Sequence, residues 1–207
     1  MNDRLVWIDC EMTGLDLEAD ALIEVAVLVT DYELNVLADG IDLVIKPPAG
    51  ALEQMTEFVR EMHTASGLLA ELDNGISLVE AERQILEYIS HHVPEPRKAA
   101  LAGNSVGTDR TFLVRDLPAV EAHLHYRNVD VSSIKELVRR WYPRVYFATP
   151  AKVGNHRALA DITESIAELR YYRETVFVPQ PGPDSETAKA VAAVIEGSIS
   201  GSAESSL

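Results

Sequence analysis

The apolar run Leu5-Val6-Trp7-Ile8 passes directly into Asp9-Cys10-Glu11, so a segment that reads as a buried strand delivers two acids at its C-terminal end. Residues i and i+2 of a strand share a face, which puts Asp9 and Glu11 on one side and Cys10 on the other. Carboxylates withdrawn from water on a core strand are costly unless a cation meets them. The fold must therefore supply that compensation, and a divalent metal ion suits it. Taken alone the pair is a weak signal. With 33 acids in 207 residues, about five acid-x-acid pairs arise by chance, and solvated acids just beyond a strand end explain the pattern equally well.

Thr13-Gly14 ends the first strand as a turn, and Leu22 to Thr30 and Leu34 to Lys46 follow as two more strands. The third alternates around Ile41, Leu43 and Ile45, so the three make an antiparallel meander. After Pro47-Pro48-Ala49-Gly50 the period becomes helical, with Leu52, Met55, Val59 and Met62 on one face. Ser77-Leu78-Val79-Glu80 is a capping box for a helix to about His92, stopped by Pro94 to Pro96. Ala99 to Gly103 is a short strand, and Asn104-Ser105 opens a helix carrying Asp109, Phe112 and Leu113. Val129 to Val131 is a fifth strand, and Ser132 or Ser133 caps a helix through Trp141. Pro143 to Gly154 reads as a loop, and a long helix from about Asn155 to Thr175 buries Leu159, Ile162, Ile166 and Leu169. A meander followed by strand-helix alternation predicts an α/β protein with a mixed five-stranded sheet and helices on both faces.

The chain is long enough for one full core with an appendage. Residues 1–178 form the expected domain, and Pro179-Gln180-Pro181-Gly182-Pro183 breaks it. The Ser-, Ala- and Glu-rich segment 179–207 is expected to be disordered on composition, with a short amphipathic helix over Ala188 to Ile195 as the alternative. One cysteine excludes an intrachain disulfide, and Met1-Asn2-Asp3-Arg4 opens onto an apolar run too short for a signal peptide, so a cytoplasmic location is expected. No run approaches a membrane span, since even Ala21 to Val29 is interrupted by Glu24.

The formal charge of −15 bears on partners. Four acids against one lysine make the tail −3 and leave −12 for the body. Proteins that track long nucleic acid carry a basic footprint, and this chain has none. A nucleic-acid substrate would have few phosphates and be held locally, without a long-polymer groove.

Three further residues suit metal-assisted hydrolysis. Asp109 lies one turn into its helix, where an acid is also favoured by the helix N-terminus alone. His156 and Asp161, five apart, stand about 140° apart around a regular helix, so they meet only if His156 lies at or before the first turn. Gly154-Asn155 makes such a start plausible; in isolation His156 reads as a surface or capping residue. The His91-His92 pair suits a helix C-terminus, and Trp7, Trp141 and Tyr171-Tyr172 suit packing.

The set Asp9-x-Glu11, Asn104-x4-Asp109-x2-Phe112 and His156-x4-Asp161 resembles the DEDDh 3′-to-5′ exonuclease superfamily. The segments Trp7 to Leu15, His63-Thr64-Ala65-Ser66-Gly67-Leu68, Gly103-Asn104-Ser105 and His125-Tyr126-Arg127 with Asp130-Val131-Ser132 resemble its oligoribonuclease branch, from about Leu5 to Arg173. The resemblance implies a ribonuclease-H-like core and a 3′-to-5′ exoribonuclease that cuts very short RNA, dinucleotides in particular, to 5′-mononucleotides. It implies two divalent cations, Mg²⁺ or Mn²⁺, about 4 Å apart. Asp9 would bridge them, Glu11 and Asp161 would complete the nucleophile side, and Asp109 would serve the leaving-group side. His156, ordinarily titrating near pH 6.5, would accept a proton from the attacking water.

The same resemblance implies that Leu15 wedges between bases, that His63 and Ser105 contact phosphate, and that Tyr126 and Arg127 cap the 5′ phosphate from the opposite subunit of a homodimer. Phe58 stands where the family commonly has a stacking tryptophan; by its own spacing it is equally a helix-core residue. Two alternatives differ in kind: a DEDDh exonuclease trimming longer RNA or DNA ends, and a nucleotide-binding protein on a degenerate exonuclease fold. The complete set of four acids and His156 argues against the latter.

Overall fold

Strand β1(Arg4–Met12) is apolar on both faces and takes the centre of a mixed five-stranded sheet. The computed structural model describes residues 4–151 and 156–204. Strands β2(Leu22–Asp31) and β3(Ile41–Val44) complete the antiparallel meander, while β4(Ala100–Gly103) and β5(His125–Asp130) add parallel to the other side of β1. The order is β3-β2-β1-β4-β5, so β3 and β5 are the edges. The helices are α1(Glu57–Ala65), α2(Leu68–Glu71), α3(Leu78–His92), α4(Val106–Asp116), α5(Pro118–His123), α6(Val131–Trp141), α7(Pro143–Phe147), α8(Ala158–Thr175) and α9(Ser185–Glu204).

The period-two rule divides the core. Val6, Ile8 and Cys10 of β1 join Ile85 and Ile89 of α3, Phe112 and Leu113 of α4 and Val120 of α5 on one face. Leu5 and Trp7 face the other way, toward Val131 and Val138 of α6 and Ile162, Ile166, Leu169 and Tyr172 of α8. Each fully buried aliphatic or aromatic side chain contributes about 1.5–3 kcal/mol. The expected α/β architecture with helices on both faces is the one observed.

Several boundaries move for local reasons. The third strand does not begin at Leu34: the Asn35 amide donates to Asp31 Oδ1 at 2.8 Å in a tight turn that holds Leu34 at φ 67°, after which Val36 makes a single bridge to Thr30 of β2 and the strand itself runs over Ile41–Val44. Leu52 and Met55 precede α1, because the Thr56 hydroxyl accepts from the Val59 amide and starts the helix at Glu57. Ser77 caps α3 as expected, accepting from the Glu80 amide at 3.2 Å. Asp130, rather than Ser132 or Ser133, caps α6, accepting from the Ser132 amide at 2.9 Å. Pro143, at the first helical position, opens α7 inside the expected loop. Trp141 is not a packing residue; it lies exposed at the end of α6.

Helix α8 begins at Ala158, and Gly154-Asn155 lies outside the described residues. The tail contains helix α9 where composition led to an expectation of disorder. Asp184 accepts from the Thr187 amide at 2.8 Å and caps it, and the alanine-rich stretch has high helix propensity. No helix among the described residues is long and apolar enough to cross a membrane.

Residues 185–198 are exposed, so α9 stabilises the body little. A chain truncated after Val178 should keep its thermal midpoint within about 2 °C by calorimetry; a larger fall would mean that the tail packs on the body.

Candidate active site

Asp9 and Glu11 continue the Leu5-Trp7 face of β1 and so emerge toward α8. Asp161 lies in the first turn of α8, where the helix dipole favours an acid, and its amide donates to the Arg157 carbonyl at 3.0 Å. The structure brings Asp9, Glu11 and Asp161 together: one carboxylate oxygen from each lies within 4.8 Å of the others. Asp109 approaches from α4 on the opposite face. It is buried, and its Oδ1 accepts from the Cys10 amide at 2.9 Å, with the Cys10 thiol bonding the same carboxylate. Asp109 thus stands outside the group of three, tied to the residue between Asp9 and Glu11.

Crowding and burial act together on these acids. Burial first, then Asp109, Glu11 and Asp161, push the Asp9 carboxyl well above the ordinary range. Burial and the neighbouring acids Asp161, Glu24 and Asp109 raise Glu11 to about 8, against an opposing pull from Arg157. Burial raises Asp109 to about 6, although the Cys10 amide resists the shift. Such a set is badly placed for a metal-free protein and well placed for a hard divalent cation, whose preferred ligands are carboxylate oxygens.

His156 precedes α8 by two residues and has a left-handed backbone, φ 48°. That conformation is rare outside glycine and costs on the order of 1–3 kcal/mol, so its surroundings must hold it. Because His156 is outside the helix, the 140° separation expected for a regular helix does not apply. It lies close enough to His63 to act on it electrostatically.

His63 is fully buried behind Glu11. Its Nε2–H donates to the Met12 carbonyl at 2.9 Å, and Nδ1, 4.0 Å from Glu11, has no hydrogen-bond partner among the described residues. Burial lowers its pKa, which keeps the ring neutral. Nδ1 then accepts rather than donates, which suits a hydroxyl or water; a phosphate contact requires the doubly protonated ring.

The remaining expected residues are open to solvent. Leu15 is 72% exposed and Phe58 75% exposed, so Phe58 is not helix core. Gly14 sets the Leu15 turn: a Cβ there would meet the Asp20 carboxylate at 2.3 Å, and that carboxylate accepts from Thr13 Oγ1 and the Asp16 amide. Ser105, with φ 53°, directs its amide at Asp130 and Ser132, each at 3.1 Å. Tyr126 and Arg127 are exposed on edge strand β5, with the guanidinium 5.4 Å from the ring centre.

Residues to which the sequence reading gave no part in the site hold this arrangement. Asn104 donates to Ser165 at 2.8 Å and Glu168 at 3.3 Å, joining the start of α4 to α8. Glu24, buried on β2 opposite Glu11, binds Arg157 at 2.7 Å. Glu24 carried a signal as the acid that interrupts an apolar strand; its partner, 133 residues away, carried none.

An exonuclease family model, RNase_T, matches residues 6–169. Oligoribonuclease from Streptomyces coelicolor is 73% identical over 193 residues, covering 93% of this chain and 96% of that protein. Oligoribonucleases from Cutibacterium acnes and Mycobacterium leprae are 59% and 58% identical, each aligned over 95% of this chain and over 98% and 92% of their own lengths. Among solved structures, exonuclease I from Methylocaldum szegediense superposes with a TM-score of 0.58 at 23% identity over 84% of this chain. A product-bound exonuclease I superposes with a TM-score of 0.61 at 15% identity over 84% of the chain, a likeness of fold. The chain spans 41% and 44% of the lengths of these two neighbours.

The raised acids fix a sign. Between the ordinary carboxylate values near 4 and about 8, these acids bind more protons in the folded chain than in the unfolded one, so their contribution to stability falls as pH rises through that window. They outnumber His63 and His92, whose contribution is opposite. EDTA-treated protein should lose thermal midpoint from about pH 5 to pH 8, and millimolar Mg²⁺ should restore more at the upper end. A midpoint that rises over that range without metal would contradict the charge assignment.

Proposed function

Because the chain belongs to the RNase_T exonuclease family, and within it to the oligoribonucleases, we propose that it hydrolyses very short RNA from the 3′ end, dinucleotides in particular, releasing 5′-mononucleotides. The observation that carries the reading is the convergence of Asp9, Glu11 and Asp161 oxygens within 4.8 Å, beside Asp109, with the non-helical His156 two residues ahead of the helix that carries Asp161. Mg²⁺ or Mn²⁺ is the assigned metal, two ions per site. Asp9, Glu11 and Asp161 would hold one, and Asp9 and Asp109 the other. Bound there, the ions neutralise phosphate charge and make a water acidic enough to attack near neutral pH.

The chain's own groups do the rest. His156, exposed just before α8, accepts the proton of the attacking water. Leu15 and Phe58 offer apolar surface to the bases, and the exposure of both supports that role. Ser105 contacts phosphate, and His63 meets the substrate or an ordered water through its unpartnered Nδ1. Tyr126 and Arg127 act on the 5′ end from the other subunit of a homodimer. Their exposure on an edge strand supports this, as do the large apolar side chains Trp141, Tyr142 and Phe147 exposed on α6 and α7. The catalytic domain is residues 1–178, and we place the reaction in the cytoplasm, where Cys10 stays reduced. The charge of −15 favours small substrates over long ones.

A time course on a 5′-phosphorylated diribonucleotide, with and without EDTA, should show metal-dependent release of mononucleotide. In a length series of 5′-labelled RNA the rate should fall as the chain lengthens; a rate unchanged at a dozen nucleotides would favour trimming of longer ends. Asp9→Ala should abolish turnover, and substantial remaining Mg²⁺-dependent activity would refute its assignment. His156→Ala should lower kcat by about 10²–10⁴-fold while metal binding, measured by calorimetry, persists. An unaltered pH-rate profile in that variant would remove His156 from the role of base.

A further inference from the structure

Arg157, in the cap position of α8, makes no side-chain capping bond. The first amide of the helix is capped from another element. Glu24 of β2 is 0% exposed, and both its oxygens reach the start of α8, Oε2 accepting from the Ala158 amide at 3.0 Å and Oε1 from Arg157 Nε at 2.7 Å, while its carboxylate also meets Asp42 of β3. The two terminal nitrogens of Arg157 donate to the two oxygens of Glu71 on α2, each at 3.0 Å. One guanidinium therefore ties β2, α2 and α8 together, in a fork geometry that a lysine cannot reproduce.

Its position matters more than its strength. The residue before the clamp is His156, held at φ 48°, and the residue whose amide bonds the Arg157 carbonyl is Asp161. Farther along, Ile162, Ile166, Leu169 and Tyr172 bury α8 without help from Arg157. Losing the clamp would therefore free the first turn and leave the helix docked. We propose that Glu24 and Arg157, braced by Glu71, are positioning residues for hydrolysis, fixing the proposed base His156 and the ligand Asp161 against Asp9 and Glu11. The inference rests on the reading of His156 given above. A purely structural pair would act on the whole fold; this one should act on two site residues and on little else.

Steady-state hydrolysis of a 5′-phosphorylated diribonucleotide in Mg²⁺ tests the kinetic side. Arg157→Met should lower kcat by about 10–100-fold, the cost of misplacing a catalytic group by roughly 1 Å, with KM within about threefold. Arg157→Lys should recover only part of the loss. Guanidinium ion at sub-denaturing concentration should restore kcat in Arg157→Ala and not in wild type. Glu24→Gln should resemble Arg157→Met, and the double variant should be no worse than either alone, since the two act as a unit. Glu71→Gln, on the solvent side, should cost about 2–5-fold and guards against a folding failure at the buried position.

Amide hydrogen exchange on the metal-free protein supplies a second readout. In Arg157→Met, exchange at Ala158 and Asp161 should accelerate at least about tenfold while Ile166 to Tyr172 stay protected. A kcat within twofold of wild type in Arg157→Met, or exchange that accelerates along all of α8, would overturn the proposal. A wild-type chain that fails to cleave the substrate would instead overturn the reading of function, and local exchange would still decide whether the clamp holds the turn.

Discussion

Like charges gathered out of water at the end of the central strand are the constraint on which the rest of this structure depends. Two unit charges about 4 Å apart near a protein surface repel by about 4 kcal/mol, and Asp9, Glu11 and Asp161 present oxygens within 4.8 Å of one another. Asp109 and Glu24 add to the repulsion felt by Asp9. A chain can keep such a group only if rigid elements hold each member and a cation is expected. β1 is locked between β2 and β4, which meets the first condition, and the crowded, buried acids, whose proton affinity is raised, could hold a divalent cation, which fits the second.

The two core layers have different duties toward that cluster. The layer of α3, α4 and α5 brings Asp109 up behind β1, where the amide of Cys10 anchors it. The layer of α6 and α8 brings Asp161 to the front. Because β1 alternates faces, one strand serves both layers, with Cys10 pointing to the first and Asp9 and Glu11 to the second. Buried polar ties, Asn104 to Ser165 and Glu24 to Arg157, then fix the layers relative to one another at the site. Polar ties of this kind add less stability than specificity of placement, because each also removes its groups from water.

The apolar periodicity made the five strands and the main helices legible, while the four acids and the histidine stood out through the motifs that resemble the exonuclease family. It misjudged ends wherever a side chain competed with the pattern. Asp31 turned Leu34 out of the third strand, Thr56 delayed α1, and Asp130 took a cap assigned to its serine neighbours. The tail was read from composition, which does not register that Asp184 can start a helix in an alanine-rich stretch. Phe58 was ambiguous for a plain reason: helical spacing does not say which face meets the core, and in the fold this ring faces solvent.

By itself, the sequence determined the chemistry available to this protein: a set of hard oxygen donors, histidines able to exchange protons, and a net charge of −15. These are properties of residue type and spacing, and no folding is needed to state them. Tertiary structure alone decided which donors meet and how they are held. Glu24 and Arg157 are separated by 133 positions and joined by 2.7 Å, and His156, the residue before Arg157, takes a left-handed backbone with φ 48°. Spacing along a chain encodes local geometry; the convergence of distant carboxylates against their own repulsion is a property of packed layers, whose burial energy outweighs it.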